Sequence, residues 1–266
     1  MSDYRERKAL IGGGAVVWTR TAGAGPQRVL PDGCTDLIWS GTGPDGELIV
    51  AGPDTRAHLA SGPPGTRAVG LRFAPGAGPA VLGVPAHELR DLRVPLAALW
   101  PDAEVRRLAE RIAERTAGRA AERIAGRTDG GITGRAAERL AGWETAPGRV
   151  LEEAALGRLR TAEPPDPVLA AIIAGASRGT GVAGIAAAVG LGERQLHRRS
   201  LAAFGYGAKT LGRVLRLNRA LDLARTGVRF AEVAATAGYA DQAHLAREVR
   251  TLTGVPLSRL LAAPGG

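Results

Sequence analysis

Near the carboxy end of the chain the stretch GYADQAHLAREV, residues 238–249, sets an amide, an imidazole and a guanidinium within six positions: Gln242, His244 and Arg247. Asp241 precedes them, a residue type that caps helix N-termini. Leu245 and Val249 lie four apart and therefore share one face of a helix. On the other face, guanidinium and amide groups can pair with guanine O6/N7, adenine N6/N7 or phosphate oxygens. A surface helix that merely covers a core gives the same local pattern, so the surrounding elements have to decide between the two readings.

The same pattern occurs twice. Val182, Ile185, Ala186 and Val189 stand at i, i+3, i+4 and i+7, and Phe230, Val233, Ala234 and Ala237 repeat that spacing. Each run ends at a glycine, Gly190 or Gly238, a residue that can adopt the positive φ at which a helix stops and the chain turns. A second helix follows each glycine, one around Leu196-His197-Arg198 and the other around Leu245-Ala246-Arg247, and each Leu is nine residues before a further glycine, Gly205 or Gly254. This is helix, tight turn, helix, in two copies. At 100° per residue, Arg194 and Arg198 point away from the buried Leu196 with Gln195 beside them. Ala243, Arg247 and Arg250 point away from Leu245, with His244 flanking them and His197 lying nearer the core. Between the copies, GAKTLGRVLRLNRALDLAR reads as one long helix, with Leu211, Val214, Leu215, Leu221 and Ala224 inward and Arg213, Arg216 and Arg219 as a basic stripe.

Charge is distributed to match. Residues 1–103 carry 10 basic and 10 acidic side chains and residues 104–177 carry 12 and 11, whereas residues 178–266 carry 13 and 5. The net +9 of the chain thus sits almost wholly in its last third, the footprint of a module that binds a polyanion. No apolar run approaches the roughly 20 residues of a membrane helix and MSDYRERKAL lacks the apolar core of a signal peptide, so a cytoplasmic protein without membrane contact is expected. One cysteine, Cys34, excludes an internal disulfide framework and a Cys-rich zinc site, and reads as a packing residue.

Residues 168–262 resemble the DNA-binding domain of the AraC/XylS family of bacterial transcription regulators, in which a long helix joins two helix-turn-helix motifs. The residues that carry the likeness are IAAAVGLGERQLHRR, RLNRALDLA and VAATAGYADQAHLAREVRTLTGVPLSRLL. By that resemblance the DNA contacts fall on Arg194, Gln195 and Arg198 in the first motif and on Gln242, Ala243, His244 and Arg247 in the second. Ser200 departs from the pattern, since the family carries a large apolar residue there, and Phe204 one turn on is the side chain expected to fill the gap.

The amino-terminal part has another character. Short apolar runs, AVVW, DLIW, ELIVAG and AVGLRF, alternate with Pro and Gly and predict hairpins of a small sheet or partial barrel. Gly41, Gly43 and Gly46 have dinucleotide-fingerprint spacing, yet they form a Pro-Asp-Gly turn between two strands with no helix after them. VPAHELRDL reads as a short helical stretch. The Ala/Glu/Arg-rich run from about residue 104 reads as helices laced with ion pairs, a linker or a dimerising element broken near Gly130 and Gly131. TAEPPDP at 161–167 marks a boundary. This half resembles the small cupin-like sensor or dimerisation domains fused to the DNA-binding module in family members. His58 and His87 are its two histidines, too few for a metal cluster, so neither metal nor cofactor is expected. Asp36, Asp54, His58 and Arg72 are ligand-pocket candidates that turn or surface chemistry explains equally well.

The expected fold is therefore α+β: a β-rich, cupin-like sensor or dimerisation domain over 1–103, a helical linker region over 104–165, and an all-α domain with two helix-turn-helix motifs over 166–266. The expected function is non-enzymatic, sequence-specific transcription regulation on double-stranded DNA. A small-molecule effector, RNA polymerase and a second copy of the chain are its further candidate partners. Two alternatives stand beside it: a nonspecific architectural DNA-binding protein, and an alkyl-transfer DNA repair enzyme, whose zinc-bound cysteines this chain lacks.

Overall fold

The computed structural model describes residues 4–42, 46–125 and 135–262, with side chains described throughout except for 117–145. Among the described residues eight strands come first: β1 (Tyr4–Lys8), β2 (Val16–Thr21), β3 (Gln27–Val29), β4 (Thr35–Gly41), β5 (Gly46–Ala51), β6 (His58–Ala60), β7 (Arg67–Phe73) and β8 (Arg93–Pro95). Six of them form an antiparallel sheet in the order β1-β2-β7-β4-β5-β8, and β3 pairs with β6 as a separate two-stranded ribbon. The sheet is not closed into a barrel. Among the described residues ten α-helices follow or punctuate it: α1 (Gly78–Leu82), α2 (Asp102–Ala125), α3 (Arg135–Leu159), α4 (Val168–Ser177), α5 (Val182–Ala188), α6 (Glu193–Phe204), α7 (Ala208–Arg225), α8 (Phe230–Ala237), α9 (Gln242–Thr253) and α10 (Leu257–Ala262).

The four strands expected from apolar runs are β2, β4, β5 and β7, the centre of the sheet. Val17, Leu37, Trp39, Leu48, Val50, Val69 and Leu71 alternate along them onto one buried face. That face is covered by α2 and α3, whose Leu108, Ile112, Val150, Leu151 and Ala155 belong to the same core. The run expected as a linker over 104–165 thus packs, through its described side chains, as the second layer of the amino-terminal unit. Its even balance of Glu and Arg concealed a stripe of apolar positions, and that stripe needs the sheet. Helix α3 lies so close to β2 that a Cβ on Gly148 would come within 2.8 Å of Val17 Cγ1. Arg7 of β1 clamps Glu152 of α3 through two hydrogen bonds of 2.9 and 2.8 Å, and the same buried carboxylate accepts the Leu10 amide at 2.7 Å. The proposed break at Gly130 and Gly131 lies outside the described residues, as do residues 43–45, where the Pro-Asp-Gly turn is expected.

VPAHELRDL forms less helix than its composition suggests. A single 3₁₀ turn spans Ala86–Glu88, opened by the extended Pro85 and followed by Asp91 at φ 59°. Gly52 packs on the Leu89 backbone there, so closely that a Cβ would collide with the Leu89 carbonyl.

The carboxy-terminal third has two separate cores. Ile172, Ile185, Leu196, Phe204, Leu211 and Val214 form the first. Leu217, Leu221, Val233, Leu245, Val249 and Leu252 form the second. Helix α7 gives its first half to one core and its second half to the other, so it works as a rigid spacer between them. Each fully buried Leu or Val on these faces stabilises its motif by roughly 1.5–3 kcal/mol.

Candidate nucleic-acid interface

Helices α5 and α6 make one helix-turn-helix and α8 and α9 the other. Both turns run through a left-handed glycine, Gly190 at φ 66° and Gly238 at φ 83°, and both second helices end at another, Gly205 at φ 80° and Gly254 at φ 77°. Leu191 and Tyr239 after the first glycines return amide bonds to Ala186 and Ala234, tightening each turn to the same geometry. Asp241 caps α9 as its residue type predicts, accepting the His244 amide at 2.6 Å, an interaction of about 1 kcal/mol. The α6 terminus, with Gly192 at the cap, is closed from the other direction: the Gln195 side-chain oxygen accepts the Gly192 amide at 3.1 Å.

Among the residues assigned to DNA, Arg194, Arg198, Gln242, Ala243 and Arg247 are all exposed. The side chains of Arg194, Arg198, Arg247 and the neighbouring Arg250 have no hydrogen-bond or ion-pair partner among the described residues. Other arginines of the same domain do: Arg199 pairs with Asp166 at 2.7 Å and Arg213 with Glu248 at 3.0 Å. Cations directed inward are neutralised, whereas those on the outer faces of α6 and α9 are left available.

Gln195 and His244 are more constrained than their residue types suggest. They occupy equivalent places, each immediately before the buried Leu of its helix, and each bonds the backbone ahead of the helix. Gln195 takes the Gly192 amide, and His244 Nδ1 accepts the Ala240 amide at 3.2 Å. His244 is half-buried, edge-on to Tyr239 at 5.3 Å between centroids. One nitrogen of each remains for a ligand. His197, read as lying nearer the core, is exposed, with its ring seated over the bare backbone of Gly207.

Phe204 does more than fill space beside Ser200. Ser200 is completely buried with its hydroxyl unpartnered, and Phe204 packs onto Gly76 of the amino-terminal unit, where a Cβ would come within 2.9 Å of its ring. Periodicity could not show this contact, because its two sides are more than a hundred residues apart. Tyr206 reaches the same unit beside Gly33 and has an unpartnered buried hydroxyl. Two hydrogen bonds to main-chain carbonyls join the second motif to the same side: Ala57 donates its amide to the Leu252 carbonyl at 2.7 Å and Arg28 its guanidinium to that of Thr253 at 2.6 Å.

Three of the pocket candidates of the sheet, Asp36, Asp54 and Arg72, are engaged in ion pairs. Arg72 lies between Asp32 and Asp36 at 3.2 and 3.1 Å, Trp18 Nε1 donates to Asp36 at 2.5 Å, and Arg93 holds Asp54. Burial, and then the neighbouring Asp32 charge, push the Cys34 thiol well above its ordinary range. Burial, followed by the Arg93 charge, lowers the pKa of His58. No group of three or more His, Cys, Asp or Glu side chains converges on a metal-sized site among the described residues, and none of their helices is long and apolar enough to cross a membrane.

Two motifs of this kind on one spacer helix define a DNA-binding transcription regulator. Residues 185–263 match the family model of a helix-turn-helix domain of AraC type. The carboxy-terminal domain is thus an AraC-type helix-turn-helix domain. Residues 15–95 match a second model, described as a domain of unknown function (DUF6597). No curated protein matches the chain in sequence. Among solved structures it is similar to ToxT from Vibrio cholerae in its P21 crystal form, at 10% identity and TM-score 0.46 over 96% of this chain and 98% of that one. It is also similar to ToxT bound to (E)-4-(8-methylnaphthalen-1-yl)but-3-enoic acid, at 11% identity and TM-score 0.46 over 97% of this chain and 98% of that one. A third likeness is to ToxT bound to unsaturated fatty acid, at 10% identity and TM-score 0.45 over 97% and 96% of the two chains.

Proposed function

We propose that this regulator works as a one-component switch, in which Arg194, Gln195, Arg198, Gln242, Ala243, His244 and Arg247 read two successive major grooves and the amino-terminal unit governs how they are presented. The unit would do so by taking a small-molecule effector, by pairing two chains, or both, with RNA polymerase as the further partner at a promoter. It carries no chemistry of its own in this reading. Direct packing of the amino-terminal unit on the ends of both recognition helices is the observation that carries it: Phe204 on Gly76 at the end of α6, and Arg28 on the Thr253 carbonyl at the end of α9. A change in that unit is thereby transmitted to the reading heads. Footprinting of the full chain on duplexes selected from a random-sequence pool tests it. A discrete protected site of about two helical turns supports a regulator, and uniform coating would support the architectural alternative.

A further inference from the structure

Between the two motifs lies a cleft of about 950 Å³, walled by the end of α4 and start of α5 on one side, by α7 at its floor, and by His244 and Glu248 of α9 on the other. Its charge is one-sided. Arg178, Lys209, Arg213, Arg216 and Arg219 line it against one carboxylate, Glu248. That carboxylate is spent on Arg213 at 3.0 Å and Arg216 at 3.9 Å, and Arg216 also lies over the Tyr239 ring at 4.7 Å. Arg178, Lys209 and Arg219 are exposed and have no partner among the described residues.

We propose that this cleft is a third DNA-contacting surface, seating the sugar-phosphate backbone that separates the two major-groove segments, with Arg178, Lys209 and Arg219 on its phosphates. The inference rests on the reading that α6 and α9 occupy successive major grooves. Helices that enter from one side, about 34 Å apart, must bridge the intervening minor groove, and its two phosphate strands then face whatever joins them. Duplex DNA presents a charge about every 1.7 Å of its axis, so an uncharged or acidic bridge would oppose docking and a basic one assists it. The shape agrees with the charge. Gly179, Gly181 and Gly238 line the cleft, and a Cβ added to any of them would meet nothing within 4 Å, which leaves a broad trough rather than a closed cup. A trough suits a continuous backbone better than a small free anion, which needs convergent donors.

The test uses the full chain and a duplex selected from a random-sequence pool, with methylphosphonates replacing the central phosphates between the two protected segments. For the unaltered protein, each neutralised contact should lower the steepness of log affinity against log salt by about 0.9. In the variant combining R178Q, K209Q and R219Q, affinity for the selected duplex and for a scrambled one should fall by the same factor, about ten-fold or more. Central methylphosphonates should then cost that variant no more than about two-fold. If the unaltered protein selects no sequence, the reading of the function fails. If it selects one but is indifferent to central methylphosphonates, only the cleft assignment is overturned, and the basic trough then belongs to an acidic protein surface. Because the methylphosphonate arm needs no substitution, a folding defect in the variant leaves the test intact.

Discussion

Arg213 of α7 holds Glu248 of α9 through two parallel hydrogen bonds, Nε to Oε2 and Nη2 to Oε1, both 3.0 Å. The pair ties the second helix of the second motif to the spacer, on the flank next to the exposed Arg247. Burial pushes the Glu248 carboxyl up, but the Arg213 hydrogen bonds and the charges of Arg213 and Arg216 outweigh it and hold the pKa below the ordinary glutamate value.

Glu248→Gln should therefore destabilise the carboxy-terminal domain at neutral pH by about 1–3 kcal/mol, the range for a charge-assisted bond in a partly buried site. Because the carboxyl titrates lower in the folded than in the unfolded chain, its contribution is present at neutral pH and is lost as acid protonates it. Urea unfolding curves of the two proteins should separate at pH 7 and converge as the pH falls below about 4. A gap that persists in acid would mean that the pair is not what the substitution removed.

Ser200→Ala should leave stability unchanged or raise it by about 1 kcal/mol. The hydroxyl is buried without a partner, so its removal costs no hydrogen bond and relieves a desolvation penalty. Thermal unfolding reads this directly. A loss of more than about 1 kcal/mol would show that the hydroxyl has a partner, such as a bound water.

Arg198→Ala and Arg247→Ala should weaken binding at opposite ends of one asymmetric site, each by about 1–3 kcal/mol where the lost contact is bidentate to a base. Both side chains are exposed and unpaired, so neither substitution should alter folding. Titrations against duplexes randomised at one end at a time check the assignment, and loss of discrimination at the same base pairs by both variants would refute it.

Gly76→Ala should loosen the contact between the two units. The residue sits at φ 86°, where a side chain costs roughly 1 kcal/mol, and the added methyl would press on the Phe204 ring. Limited proteolysis should cut the variant faster than the unaltered chain in the non-helical segment 161–167 between α3 and α4. Equal rates would indicate that the Phe204 contact does not hold the units together.

The double motif was legible from order alone, for a physical reason. Apolar spacing of 3.6, a left-handed glycine in each turn and a cap at Asp241 are local rules, and the repeat applied them twice. The central strands obeyed a local rule as well, alternation. The amino-terminal second layer did not show itself, because Leu108, Ile112, Val150, Leu151 and Ala155 are sparse among Ala, Glu and Arg and acquire meaning only against the sheet. Nor could spacing distinguish a free side chain from an engaged one. Gln195 and His244 look like Arg198 and Arg247 on a helical wheel, yet they bond Gly192 and Ala240 ahead of their helices. Sequence alone determined that Arg194, Arg198, Arg247 and Arg250 point outward, since that follows from helix angle, although the same angles placed His197 nearer the core than it lies. Tertiary structure decided which of these are unpaired, how α7 divides its faces between two cores, and that Phe204 and Thr253 meet Gly76 and Arg28, because contacts between distant segments depend on packing that no local periodicity encodes.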